Sequence, residues 1–175
     1  ATGSAPRHLQ IPQPLEVAPG VDAEYPFLYQ PGDQDNLYVI SRETMECVEV
    51  YYIGHKRGTI VVPPVMVGGC LMVVENAGPD FCYIHVVACD KEGRNLVMAQ
   101  EPIRLQGQVL TRPADTSHKV LFVTDQRALE LFEVEGSEDG SNPVVSAERQ
   151  NATREDPIIS YTMLGSGDNI WVAND

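Results

Sequence analysis

Very little in this chain is basic, and nothing in it is a long uninterrupted apolar run. Its 12 Lys and Arg residues stand against 25 Asp and Glu, leaving a formal charge of -13, and Lys56-Arg57 is the densest basic pair. Such a surface repels a phosphate backbone, so nucleic acid is not an expected partner. The longest uncharged stretch, Gly58 to Val74, is interrupted by Pro63, Pro64, Gly68 and Gly69. No run reaches the roughly 20 residues that a membrane helix needs, so no membrane insertion is expected.

Catalytic and metal-binding signatures are also missing. There is no CxxC pair for a zinc or redox site and no GxSxG nucleophile turn; "GSG" at 165–167 reads as a hairpin turn. His8, His55, His85 and His118 are scattered, and His85 alternates with Ile84 and Val86 in a strand-like run, the position of a satisfied strand histidine. The acidic turns "DQD" (33–35), "EVEGSED" (133–139) and "REDP" (154–157) lack the fixed oxygen spacing of a calcium loop and read as solvated turns. "GHKRG" (54–58) reads as a polar connection that could at most face an anion, and "NAT" (151–153) as a chance match to a glycosylation acceptor. No catalytic, cofactor-binding or metal-ligating residue is assigned. Cys47, Cys70, Cys82 and Cys89 fall in apolar runs and are expected chiefly as buried free thiols.

What the chain does have is a core. A hydrophobic fraction of 43% with 21% charged residues over 175 residues suits one globular domain or a large part of one. "ATGSAPRHLQ" carries neither an initiating Met nor a signal-peptide pattern, which fits a processed chain or a piece of a longer one. Residues 1–26, with Pro6, Pro12, Pro14, Pro19 and Pro26, are expected as a Pro-rich linker or a strap laid over a neighbour. Beyond them, turn signals separate short segments rich in Val, Ile, Leu, Tyr and Phe. The best helical window, Asp125 to Glu135, contains "ALELFEVE", which alternates at period two, so helix should be nearly absent.

The segments repeat. "CLMVVENAG" from Cys70 returns as "VLFVTDQRA" from Val120 and as "IWVAND" from Ile170, at steps of about 50 residues. Each copy follows a strand and a turn. The two complete copies continue into strand, acidic glycine turn and strand, "YIHVVACDKEGRNLVMAQEPI" and "LELFEVEGSEDGSNPVVSAERQ". "LYVISRETMECVEVYYIG" matches that sequel, which defines a unit of four strands, A to D. One such unit cannot cover both its faces, and radial stacking against its copies does so. The predicted fold is all-β, with four-stranded antiparallel blades of β-propeller type: about three blades, a partial propeller. The repeat region is 27–175. Within it Leu37–Gly54 supply strands C and D, Thr59–Ile103 and Gln108–Gln150 are complete blades, and Ile158–Asp175 are strands A and B.

The stretch "DNLYVISRETMECVEVYYIGHKRGTIVVPPVMVGGCLMVVENAG" resembles the repeat of propellers related to pyrroloquinoline-quinone enzymes, through "RETME" at Arg42 to Glu46 and the hairpin Pro63 to Gly69. The match is clearest over Leu37 to Gly78. It departs from the quinoprotein dehydrogenases in lacking their glycine-then-tryptophan docking motif: the D strands hold no Trp, and Trp171 falls on a B strand. The cofactor is therefore not carried over, and none is expected. The resemblance implies a bacterial, non-enzymatic member, in the cell envelope or periplasm ahead of the cytoplasm. The expected function is a non-catalytic module for protein interaction or scaffolding. The alternative is part of a quinoprotein-like enzyme or ligand-binding propeller whose active residues lie outside this chain. Three blades are too few to close a ring, and the outer radial faces would be bare. The expected partner is thus another protein, the rest of a larger propeller, or a second copy of the chain in a six-bladed ring; the other outcome is a rearranged closed β structure.

Overall fold

Alternating apolar residues in short segments can satisfy their backbone only by pairing side by side, and the computed structural model shows them doing so. It describes residues 8–22, 25–90, 94–135, 143–151, 161–166 and 169–174. No helix occurs among them, every ladder is antiparallel, and all but that of the strand Ile103–Gln106 join strands that follow one another. The first sheet runs β1 (Gly20–Val21), β2 (Phe27–Pro31), β3 (Asn36–Ser41), β4 (Cys47–Tyr52). The second runs β5 (Val65–Val67), β6 (Cys70–Glu75), β7 (Phe81–Cys89), β8 (Leu96–Met98), with β9 (Ile103–Gln106) also on β7. The third runs β10 (Ala114–Asp115), β11 (Lys119–Val123), β12 (Ala128–Val134), β13 (Val144–Asn151), and β14 (Tyr161–Ser166) and β15 (Asn169–Asn174) form a hairpin of their own. The short inner strands of neighbouring sheets lie beside one another, β1 by β5 and β10 by β14, as in radial blades.

The first blade differs from expectation. Strands C and D, expected within Leu37–Gly54, are preceded by their own A and B strands, β1 and β2, the first inside the Pro-rich segment 1–26. Pro26 and Pro31 disguised them. Pro31 takes the last position of β2, where a missing donor is tolerated, and β1 pairs only with Leu28 and Tyr29. The outer strand of the second blade is likewise two pieces. β8 pairs with Val87–Cys89 and β9 with Phe81–Ile84, and Pro102, which has no N–H, sits in the gap.

Strand alternation divides each blade into two faces, and the blades stack face to face. Tyr29, Leu37 and Val39 of the first meet Leu71, Val73 and Val87 of the second. On the other face of the second blade, Met72, Val74, Ile84 and Val86 meet Val120, Phe122, Phe132 and Val134 of the third, where the two Phe rings pack edge to face. Fully burying each such side chain is worth about 1.5–3 kcal/mol, so these two seams hold the arc together. Leu121, Val123 and Leu129 form a smaller cluster on the third blade's far face.

The double glycine of the second blade's first hairpin answers to a close approach. Gly68 and Gly69 both have positive φ, +56° and +78°. A Cβ on Gly68 would stand 2.8 Å from Val134 Cγ1, and its N–H donates to the Ser117 carbonyl of the third blade.

Candidate functional site

The polar residues gather where hairpins between strands B and C meet the connections from one blade to the next. In the first blade this hairpin is Gly32 to Asn36, closed by the Gly32 N–H donating to the Asn36 carbonyl at 2.8 Å. The third blade repeats it from Thr124 to Ala128 at 3.0 Å. Asp35 and Arg127 occupy the same left-handed position of the two turns, with φ of +55° and +63°.

These hairpins grip the connections. The Asp33 carboxylate pairs with Arg57, and its carbonyl accepts from the Gly58 N–H. Asp35 accepts the Thr59 hydroxyl at 2.7 Å on Oδ1, and its carbonyl takes the Ile53 N–H. At the next seam Asn76 and Val109 exchange two bonds of 3.0 Å, and the Asp125 carboxylate accepts the Gln108 N–H at 2.7 Å. The Gln108 side-chain amide closes the set by donating to the Gly78 carbonyl. Against the solvated turn expected at "DQD", the structure buries Asp35 to 1% exposure and makes it a latch. The common Asp-Gln pair of 33–34 and 125–126, at matching distances before strand C, was the available signal.

Asp35 is the most constrained acid of the seam. Burial pushes its carboxyl above the ordinary value, with the Thr59 hydroxyl pulling the other way, Glu75 adding to the rise, and His85 and the Lys56 backbone opposing it. Its Oδ2 is buried and accepts no hydrogen bond of standard geometry. His85 Nε2 lies 2.8 Å from Glu75 Oε2, which places this histidine as the satisfied strand residue expected. A half-buried ladder continues from it: His85 against Tyr83, Tyr83 against Phe81, and the Arg104 guanidinium 4.6 Å above the Phe81 ring.

The remaining sequence candidates are separate. In "GHKRG", Arg57 is held by Asp33, Lys56 Nζ donates to the Ala77 carbonyl at 3.4 Å, and the His55 ring rests near Tyr52, so the loop binds its own neighbouring hairpins. His8 is exposed, and His118 contributes its carbonyl to the Val134 N–H. Residues 136–142, 152–160 and 167 lie outside the described residues, and with them most of "EVEGSED", all of "REDP", and parts of "NAT" and "GSG". Trp171 lies on β15, which pairs with β14. Among the described residues no three His, Cys, Asp or Glu side chains are grouped as a metal site would require.

All four cysteines are free. Cys70 and Cys82 are buried, Cys89 is half-buried, and Cys47, contrary to expectation, is exposed at the start of the outer strand β4. Burial raises the Cys82 thiol to about 12 and the Cys89 thiol to about 11, so neither is a thiolate at neutral pH.

The outer strands carry apolar side chains in the open. Val48 on β4 is 44% exposed, and Val97 and Met98 on β8 are 60% and 57% exposed. The two strands are tied together, because Glu49 Oε2 accepts the Leu96 N–H at 2.9 Å. Exposed apolar residues thus lie on the outer strands of both of the first two blades, and no sequence pattern singled them out, since alternation does not say which faces an outermost strand leaves uncovered.

No family model matches the chain, and no curated protein does. Solved structures do. The chain is similar to BamB from Moraxella catarrhalis with a TM-score of 0.58 at 10% identity, over 93% of this chain and 44% of that one. It is similar to Sqt1 of Saccharomyces cerevisiae with a TM-score of 0.57 at 10% identity, over 85% of this chain and 38% of that one. The chain thus spans less than half the length of either. With these propeller neighbours, and with antiparallel sheets of four, five and four strands following one another, the chain is a partial all-β propeller.

Proposed function

We propose that this chain is a non-catalytic propeller module that acts as a rigid platform for another protein. The observation that carries the reading is the exposure of Val48, Val97 and Met98 on the outer strands of two blades joined there by Glu49. Single exposed apolar residues are ordinary, but several on two outer strands tied to one another offer a contact surface on a stiff support. The acidic charge of the chain selects a partner whose apolar anchors are ringed by Lys and Arg. The polar groups of the seams are engaged in holding blades together, which fits a structural role for them.

A photo-crosslinking residue at position 98 tests this in the source cells. The expected outcome is one adduct of discrete mass, lost when Val97 is changed to Asp and absent when the probe is placed at exposed Arg112 instead. No adduct, or the same adduct from both positions, would remove the reading. The enzyme alternative is tested separately: pyrroloquinoline quinone with calcium should leave the melting temperature unchanged, because a ligand that binds only the folded form must raise it. A bacterial envelope location is part of the proposal, supported by the likeness of the repeat to envelope propellers, and cell fractionation tests it.

A further inference from the structure

A different surface, at the start of the arc, carries a second reading. In each later blade, one face receives the blade before it. The receiving residues include Leu71 and Val87 in the second blade and Val120 and Phe132 in the third, each pair directly opposite across strands B and C. The same cross-strand position in the first blade holds Leu28 and Ile40, and the next holds Gln30 and Tyr38. Among the described residues no strand comes before β1 to supply a blade for this face. It is nevertheless covered, with Gln30, Tyr38 and Ile40 at 6%, 5% and 6% exposure.

Segment 8–19 lies against it through Gln13 and Val17. Gln30 Nε2 donates to the Val17 carbonyl at 2.8 Å, and Gln13 Oε1 accepts the Gln34 N–H at 3.1 Å. A Cβ on Gly32 would touch the Tyr38 ring at 2.8 Å and the Gln13 amide carbon at 3.3 Å, so Gln13 and the ring line the same spot. Leu9, Ile11 and Val17 are half-buried while their neighbours Gln10, Pro12 and Glu16 are exposed. An extended segment that buries alternate residues does part of what a blade does, but with less apolar area.

We propose that this face of the first blade is a docking surface for a second copy of the chain, and that residues 8–19 occupy it as a displaceable cap. The occupant follows from the repeat. The corresponding faces of the second and third blades accept the Leu-, Val- and Ile-rich face of another blade of this same sequence, so a blade of this pattern is the shape the face fits. Cap and second copy cannot hold the face together, so the capped chain stays apart. Each copy carries a charge of -13, so association of uncapped chains strengthens as salt screens the repulsion.

Light scattering after size exclusion tests this on the full chain, on a chain beginning at Pro19, and on full-length Gln30→Ala, which loses the donor to Val17. The full chain is expected at monomer mass. The shortened chain is expected at twice that mass or more, rising with salt, and returning to monomer when a peptide of residues 8–18 is added. A shortened chain that keeps its strand circular dichroism and stays monomeric would overturn the proposal, as would a full chain already associated or a peptide without effect. If the shortened chain fails to fold, Gln30→Ala decides: mass that rises with concentration supports the cap, and unchanged monomer mass overturns it.

Discussion

Asp35 of the first blade and Thr59 of the connection into the second are joined by a 2.7 Å hydrogen bond across the seam, and the other oxygen of Asp35 has no such partner. The carboxyl is raised by burial, so its folded value lies above the unfolded one and the folded state holds its proton longer. The sign follows: as pH rises from the ordinary value of 3.8 through the raised one, Asp35 takes stability away. Asp35→Asn keeps the acceptor for Thr59, suits the left-handed backbone and never ionises. At neutral pH it should equal or exceed the parent by about 1 kcal/mol, the scale of an unsatisfied buried atom, with the advantage vanishing in acid. Urea unfolding of both proteins across pH checks this; a pH-independent difference would show that the charge is not the cause.

Gly68 and Gly69 separate two costs that usually arrive together. Both have positive φ, so an Ala at either meets the left-handed penalty of about 1–2 kcal/mol. Only at Gly68 does the new Cβ also run into Val134 of the next blade; at Gly69 it points into open space. Gly68→Ala should therefore cost about 1–3 kcal/mol more than Gly69→Ala, the usual price of overpacking. Chemical denaturation of the two variants measures the difference, and equal losses would mean that the hairpin does not bear on the third blade.

How much of this the sequence made legible depended on which residues carried the signal. Strands rich in Val, Leu and Ile, such as Cys70–Glu75 and Lys119–Val123, announced themselves by pattern and by recurrence, because their side chains must fill the seams between blades. Gly20–Val21 and Phe27–Pro31 did not, since two residues show no period and the flanking prolines read as linker. The seam latches were hidden for another reason. Asp35 and Asp125 look like any turn acid until the connection from the neighbouring chain segment is brought onto them, and such long-range pairing leaves no local trace. The contacts of Gln13 and Val17 with the first blade fall in a stretch whose prolines read only as a linker or a strap.

The cysteines give the last test, and it is one of accessibility against acidity. Cys47 is exposed, and burial raises its thiol only in part, with the Glu49 backbone opposing the rise. Cys82 is fully buried with its thiol raised to about 12, and Cys89 is half-buried with its thiol raised to about 11 beside the Tyr29 hydroxyl. The thiolate is the reacting form and the reagent must reach it, so exposure favours Cys47. In the folded chain a disulfide reagent at mildly alkaline pH should titrate one thiol quickly and the other three only at the rate of unfolding. Cys47→Ser should abolish the fast phase without loss of stability, because its side chain fills no seam. A fast phase that survives the substitution would mean that the second blade opens locally, exposing Cys89 or Cys70 far more often than a locked seam allows.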